Sequence, residues 1–102
     1  MRIDVNYDGK IARMRIEGIL TSDNSYVLQD KLNEVKGGEV TMLEMDLLDC
    51  RNISSTGIGK ILLFYKDFIT KGGEIEITRC SPGVYELFSM LKLNQLFSIN
   101  LG

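Results

Sequence analysis

Three consecutive hydroxyl residues, Ser54-Ser55-Thr56, are the best candidates for chemistry in this chain of 102 residues. Hydroxyl side chains at the start of a helix accept hydrogen bonds from free backbone N–H groups, and such capping alone would account for all three. A hydroxyl that instead faces solvent at this point could take a phosphoryl group, because the free N–H groups and the helix dipole both favour an anion. The modification would add about −1.5 to −2 charges at neutral pH, enough to disrupt a protein interface without unfolding the domain.

The glycine run that follows, Gly57-Ile58-Gly59-Lys60, does not fit a nucleotide-binding motif. A P-loop requires glycine at position 54 and Ser or Thr at position 61, where this chain has Ser and Ile. The dinucleotide fingerprint requires glycine at position 62, which is Leu. We therefore predict that both glycines allow the start of a helix to pack closely against a sheet.

The composition argues against most catalytic sites. The chain has no histidine, so Ser-His and Cys-His nucleophiles and the usual zinc sites lack their main component. Asp46 and Asp49 are three residues apart but have no base or metal ligand near them in the sequence, and we expect them to support a loop. The sequence predicts a protein that is not an enzyme, with no catalytic residue, metal site or cofactor.

Charge and hydropathy predict a cytoplasmic protein of one domain, residues 1–102. The net charge is −2, from 12 basic and 14 acidic residues, and the basic residues are too dispersed for direct nucleic-acid binding. No apolar run approaches the ~20 residues that cross a bilayer, so we expect no membrane insertion. An acidic residue, Asp4, lies where a signal peptide needs apolar residues, and Cys50 and Cys80 are expected to be reduced thiols.

The hydrophobic pattern predicts the element order β-β-α-β-α-β-α, with a short strand or an apolar tail at the end. Residues 3–7 and 11–16 alternate as strands joined by a hairpin at Asp8-Gly9, and Gly18 is predicted to end the second strand. The first helix is predicted to begin with N-cap residues at positions 21–24 and to end at Lys36-Gly37-Gly38 with a left-handed glycine.

Residues 40–48 are apolar on both sides, which predicts a central strand covered by helices on both faces. A loop over residues 49–53 leads to the second helix, which ends at residues 71–73, and a strand over residues 74–78 follows. Ser81-Pro82 is a strong helix start. Two sets of side chains are expected to face the core: Ile58, Ile61, Leu62, Tyr65, Phe68 and Ile69 from the second helix, and Val84, Leu87, Phe88 and Leu91 from the third. The fold class is α/β: a mixed sheet with an N-terminal antiparallel hairpin, parallel βαβ crossovers and helices packed on the sheet.

Residues 45–59 resemble the signature of STAS domains, the family of bacterial anti-sigma factor antagonists and of related domains in sulfate transporters. The family pattern runs from Asp-Leu at the end of a strand, through a short loop, to Asp-Ser-Ser/Thr-Gly-Leu/Ile-Gly at the start of a helix. Asp46-Leu47 resembles the first part and the residues from Ser55 to Gly59 the second. The residues from Gly18 to Thr21 resemble an earlier Gly-x-Leu-Asp, and residues 91–97 resemble the C-terminal end, so the resemblance covers nearly the whole chain.

The resemblance implies a switch protein without a cofactor. An anti-sigma factor with serine kinase activity would phosphorylate Ser55, with Ser54 as the alternative phosphoacceptor, and a PP2C-type phosphatase would reverse the modification. The unphosphorylated form would bind the kinase and release a sigma factor. The resemblance places the partner-binding surface on Thr21, Ser22, Asp23, Asn24, Asn52, Ser54, Thr56, Gly57, Gly59, Lys60 and the exposed face of the second helix.

Two positions depart from the family pattern. Ser54 replaces the Asp before the phosphoacceptor, and Thr21 replaces the Asp of Gly-x-Leu-Asp. Both changes remove negative charge from the expected docking surface, although Asp23 and Asp49 are close in sequence. They favour the alternative function, a STAS scaffold that is not phosphorylated and serves as a subunit of a transporter or a sensory complex.

Overall fold

The computed structural model describes residues 1–102 and contains six strands and three helices. Their bounds are β1 Arg2–Asp8, β2 Ile11–Leu20, α1 Ser25–Lys36, β3 Met42–Leu47, β4 Cys50–Ile53, α2 Ser55–Thr70, β5 Glu74–Cys80, α3 Pro82–Met90 and β6 Ser98–Ile99. A single turn of 3-10 helix, Leu93–Gln95, precedes β6. The predicted α/β class is confirmed, and the C-terminal apolar segment contains a short strand. No helix has the length and apolar character that a membrane crossing requires.

The sheet has the strand order β1-β2-β3-β5-β6, and β4 pairs separately with the end of β2. Only β1 and β2 are antiparallel; the other neighbours are parallel. This confirms the predicted hairpin and parallel crossovers. The hairpin turn uses Gly9 at φ 61°, a left-handed conformation that glycine adopts without steric cost.

Gly18 does not end β2, as the sequence predicted; it bends it. Its φ is +98°, and the pairing register shifts between Gly18 and Ile19, which is the behaviour of a β-bulge. Before the bulge β2 pairs with β3, and after it β2 pairs with β4. The predicted loop over residues 49–53 is therefore also wrong, since it contains β4.

The helices cover one face of the sheet, not both. On β3, Leu43, Met45 and Leu47 are buried in a single core that also contains the buried side chains of all three helices. The other face of β3 carries Glu44 and Asp46, which bind arginines from the neighbouring strands. The prediction of a doubly covered strand was wrong because these two carboxylates have ionic partners on the open face.

The inward faces of the helices differ from prediction at their C-terminal ends. On α2, Phe64 is buried and Ile69 is exposed, while Leu62 and Tyr65 are only partly buried. On α3, Val84 and Phe88 are buried, Leu87 is partly buried and Leu91 is exposed. The predicted start of α3 is confirmed, because Ser81 Oγ accepts from the N–H of Val84 and Pro82 occupies the first turn.

The glycines that follow α1 and α2 have different backbone conformations. Gly37 caps α1 at φ −75°, a right-handed conformation, so the predicted left-handed cap is wrong there. Gly72, after α2, does adopt a left-handed conformation, with φ +84°. The Lys71 ammonium donates to the backbone carbonyl of Lys36 at 3.1 Å, which ties the end of α1 to the end of α2.

Candidate functional site

Ser54 is the N-cap of α2, and its hydroxyl oxygen accepts a hydrogen bond from the backbone. Its extended conformation, φ −69° and ψ 161°, lets Oγ accept from the N–H of Gly57 at 3.1 Å. Its own N–H donates to the carbonyl of Leu20 at 2.8 Å, so the helix start is anchored to the end of β2. Ser54 therefore has the capping role that the sequence allowed for all three hydroxyl residues.

Ser55 is the first residue of α2 and is exposed to solvent. The cap is already formed by Ser54, and no hydrogen bond within the chain holds the Ser55 hydroxyl. The first backbone N–H groups of a helix lack partners inside the helix, so an anion at this position would find donors and the positive end of the dipole. The arrangement suits the attachment of a phosphoryl group.

Thr56 connects α2 to the loop that precedes α1. Its Oγ1 lies 3.1 Å from Ser22 Oγ, and both residues are exposed. This contact brings together two of the segments that the sequence predicted to form one surface. The pairing of Leu20 with Ile53 explains it, because β2 and β4 run parallel and end at the same edge.

The polar residues at positions 21–24 close their own loop and do not cap α1. Asn24 Oδ1 accepts from the N–H of Thr21 at 2.8 Å, and Thr21 Oγ1 accepts from the N–H of Asn24 at 3.2 Å. Asn24 Nδ2 donates to the carbonyl of Ile19 at 3.0 Å. Asn24 occupies the N-cap position but makes no side-chain cap, so the predicted capping role is wrong. These bonds fix the shape of the loop beside Thr56.

The two glycines of the motif have different reasons to be glycine. A Cβ on Gly57 would lie 2.6 Å from Leu20 Cδ2 and 3.1 Å from Ile53 Cγ2, so the predicted close packing against the sheet holds there. A Cβ on Gly59 would meet no atom within 4 Å, and the same prediction is wrong for it. Gly59 instead leaves open space on the surface one turn beyond Ser55.

The remaining predicted surface residues lie at the same edge without direct bonds between them. Asn52 is exposed on β4, and its Oδ1 accepts from the N–H of Ile53 at 2.9 Å. Asp23 is exposed, and Lys60 is partly buried. No hydrogen bond joins Asn52, Asp23 or Lys60 to Ser55, so none of the three positions the serine.

Asp46 and Asp49 support the β3–β4 turn through separate arginines. Asp46 Oδ2 binds Arg79 at 2.5 Å and its Oδ1 accepts from the N–H of Leu48 at 3.1 Å. Asp49 Oδ2 binds Arg15 at 2.6 Å. Burial works against the charged form of Asp46, but the bonds from Arg79 and Leu48 outweigh it and lower the pKa of its carboxyl. These carboxylates hold the turn, as the sequence predicted.

Both cysteines are free and buried. Burial raises the pKa of the Cys50 thiol and of the Cys80 thiol, so both remain protonated and weakly nucleophilic at neutral pH. The Cys50 thiol donates to the carbonyl of Asn52 at 3.6 Å. No group of three or more carboxylate or thiol ligands is arranged to hold a metal ion.

Two large apolar side chains that sequence reasoning did not single out are exposed to solvent on the two N-terminal helices. Tyr26 on α1 is 65% exposed and Leu63 on α2 is 64% exposed. The available signal was the spacing of Ser55, Gly59 and Leu63, four residues apart each, which places them along one face of a helix.

The model of the STAS domain family matches residues 2–101 of the chain. The chain belongs to the STAS domain family. This STAS domain also shares its fold with solved structures of low sequence identity. The structure of the anti-sigma factor antagonist SpoIIAA in its unphosphorylated form is 17% identical, with a TM-score of 0.84 over 97% of this chain and 88% of that one.

Two further structures support the same fold for this STAS domain. An anti-sigma factor antagonist from Mycobacterium paratuberculosis is 14% identical, with a TM-score of 0.85 over 96% of this chain and 83% of that one. The phosphorylated form of the Bacillus cell fate determinant SpoIIAA is 16% identical, with a TM-score of 0.76 over 97% of this chain and 91% of that one. At these identities the likeness establishes the architecture of this STAS domain.

Proposed function

We propose that this STAS domain is an anti-sigma factor antagonist whose binding to an anti-sigma factor with serine kinase activity is abolished by phosphorylation of Ser55. The observation that carries the proposal is the division of roles at the start of α2. Ser54 Oγ is held by the N–H of Gly57, while Ser55 is exposed. Among its structural neighbours, SpoIIAA has been solved in both unphosphorylated and phosphorylated forms.

The phosphorylation step is a group transfer from ATP bound to the kinase. The Ser55 oxygen forms a bond to the γ-phosphorus, the bond from that phosphorus to the β-phosphate oxygen breaks, and ADP leaves while a kinase base takes the hydroxyl proton. The product carries about −1.5 to −2 charges at neutral pH at the positive end of α2, where the helix tolerates them. The fold is retained, and the surface around Ser55 gains negative charge.

The remaining parts of the proposal follow from the resemblance to the antagonist branch of the STAS family. A PP2C-type phosphatase would hydrolyse the Ser55 phosphate and restore the binding form. The protein would act in the cytoplasm, where ATP and the kinase are present and where buried thiols such as Cys50 remain reduced. The chain itself would bind and release its partner and would catalyse nothing.

Intact-mass spectrometry after incubation with a GHKL-type serine kinase of the source organism and ATP tests the site. Wild type and Ser54→Ala should each gain one phosphoryl group, and Ser55→Ala should gain none. Ser55→Asp should weaken binding to the kinase by about tenfold or more, because an anion must be desolvated in the interface. Phosphorylation of Ser55→Ala at the wild-type rate would show that the acceptor is another residue.

The alternative function, a scaffold that is not phosphorylated, is favoured by Thr21 and Ser54. Each replaces a carboxylate of the family pattern, and each hydroxyl is used by the backbone of its own loop. Intact-mass measurement of the protein isolated from its own cells under varied stress separates the two functions. A permanent absence of the phosphorylated form, together with co-purification of a transporter or sensor subunit, would support the scaffold.

A further inference from the structure

The two edges of the sheet differ in how they are protected from pairing with another chain. At one edge β6 has only two residues, and a very short edge strand offers little to pair with. At the other edge β1 has seven residues, which pair with β2 without a break in register. β1 contains no Pro, no Lys and no bulge, the usual devices that keep an edge strand from pairing. β1 is therefore the open edge of this fold.

Alternate backbone groups of β1 point out of the sheet. The carbonyl of Lys10, just before β2, accepts from the N–H of Thr41, just before β3. The odd-numbered residues of β2 therefore direct their backbone groups to β1, where their partners are the even-numbered residues. The N–H and C=O groups of Ile3, Val5 and Tyr7 are left on the outer side, and no other group of the chain bonds to them.

The side chains of β1 are complementary to a second copy of the same strand running antiparallel. With Val5 opposite Val5 of the second copy, Arg2 lies opposite Asp8, and Ile3 lies opposite Tyr7. Arg2 and Asp8 have opposite charges, and 70% and 74% of their side-chain surface is exposed. A contact between two identical surfaces requires such self-complementarity, and both kinds of cross-strand pair stabilise a sheet.

The charges favour this register over its neighbours. If one copy slides by two residues in one direction, Asp4 lies opposite Asp4 of the second copy, and in the other direction Asp4 lies opposite Asp8. Like charges directly opposite each other destabilise a strand pair. A slide by one residue would place the outward backbone groups opposite groups that β2 already uses. The register centred on Val5 also pairs all seven residues of β1.

The ionic network on the uncovered face of the sheet would continue into the second copy. Arg13 binds Asp8 at 3.2 Å and Glu44 at 3.0 Å, so opposite charges alternate across β1, β2 and β3. Arg2 of the second copy would extend this alternation on the other side of Asp8. Within its own chain Arg2 binds Asp4 at 3.0 Å, an exposed ion pair that contributes little to stability.

We propose that two copies of this chain associate through antiparallel pairing of their β1 strands, centred on Val5. The occupant of the open edge is a second copy because the charges, the apolar side chains and the free backbone groups of β1 all match those of the same strand reversed. The two six-stranded sheets would form one continuous sheet, with the helices of both copies on the same face.

Sedimentation equilibrium of charge variants tests the proposal. Wild type should form a dimer, and Arg2→Asp and Asp8→Arg should each raise its Kd about tenfold or more, because each ion pair across the interface becomes a contact between like charges. The double variant that carries both changes should dimerise more tightly than either single variant. The matched control, Glu86→Arg, makes the same charge change at an exposed position of α3 and should leave the Kd within about twofold of wild type.

Hydrogen exchange of the backbone amides gives a second readout. In the dimer the amides of Ile3, Val5 and Tyr7 should exchange at least about tenfold more slowly than in the dilute monomer, because they gain partners in the second copy. The amides of Asp4 and Asn6 should be equally protected in both states, since their partners lie on β2 of the same chain.

Two results would overturn the proposal. One is a wild-type chain that stays monomeric up to about 1 mM. The other is a dimer that Asp8→Arg leaves intact and in which the amides of Ile3, Val5 and Tyr7 gain no protection, because such a dimer would use another surface. None of these measurements involves Ser55 or a kinase, so their outcome is independent of the proposed function.

Discussion

Ser54 and Ser55 are identical in chemistry, and their backbones give them different roles. The extended conformation of Ser54 turns its hydroxyl back to Gly57, whereas Ser55 already belongs to the helix and faces solvent. Residue type alone left both serines as candidates, because the boundary between cap and first turn is a property of the backbone. If the helix began one residue later, Ser55 would be the N-cap and Thr56 the first helical residue.

The two motif glycines should respond oppositely to alanine. Gly57→Ala places a Cβ against Leu20, which is fully buried, and overpacking of this kind costs about 1–3 kcal/mol. Gly59→Ala meets open space, and the better helix propensity of alanine should leave stability equal or raise it by up to about 1 kcal/mol. The midpoint of urea unfolding measures both changes. A Gly57→Ala variant as stable as wild type would mean that Leu20 moves aside freely.

At the scale of the helix, the Ser54 cap should contribute measurably to stability. Ser54→Ala removes the acceptor for the N–H of Gly57 and should lower the free energy of unfolding by about 1 kcal/mol. Ser55→Ala is the matched control and should change it by less than about 0.5 kcal/mol, because the hydroxyl has no partner. Chemical unfolding followed by circular dichroism gives both values. An equal loss in the two variants would contradict the assignment of the cap.

The helices and the main strands could be predicted because their burial follows one regular period. The short strand β4 could not: its ends, Cys50 and Ile53, are buried, and its two middle residues are exposed. That pattern does not alternate, so it looked like a loop. Gly18 was misread for a related reason, since a glycine that ends a strand and a glycine that forms a bulge look alike until the partner strand is known.

The candidate site was predictable in its sequence motif and not in its surroundings. The family pattern pointed to Ser55, to the loop that contains Ser22 and to the exposed face of the second helix, but it did not single out Tyr26 or Leu63. An apolar residue on a helix is normally assigned to the core, and only the folded structure shows that these two side chains are exposed. The same limit explains why Ile69 was predicted inside and Phe64 was not.

For the whole molecule, the ion pairs on the uncovered face of the sheet make the free energy of unfolding depend on pH. The pKa of the Asp46 carboxyl is lowered in the folded protein, so the unfolded chain binds a proton more readily. The contribution of Asp46 is therefore complete above its ordinary pKa of 3.8 and is lost as the pH falls through the lower, folded value. Asp46→Asn should reduce stability at pH 7 and flatten the loss of stability in acid. The free energy of unfolding of both proteins is measured between pH 7 and pH 2. An equal loss of stability in the two proteins over this range would contradict this account.

The hairpin turn at Gly9 lies at the opposite end of β2 from the serine that the switch would use. With ten residues in β2 at about 3.3 Å each, the two are on the order of 30 Å apart, and the space around Gly9 is open. A fluorescent dye or a short epitope grafted at this bend would therefore sit clear of any kinase at the far end. It would follow association and release in living cells without obstructing either.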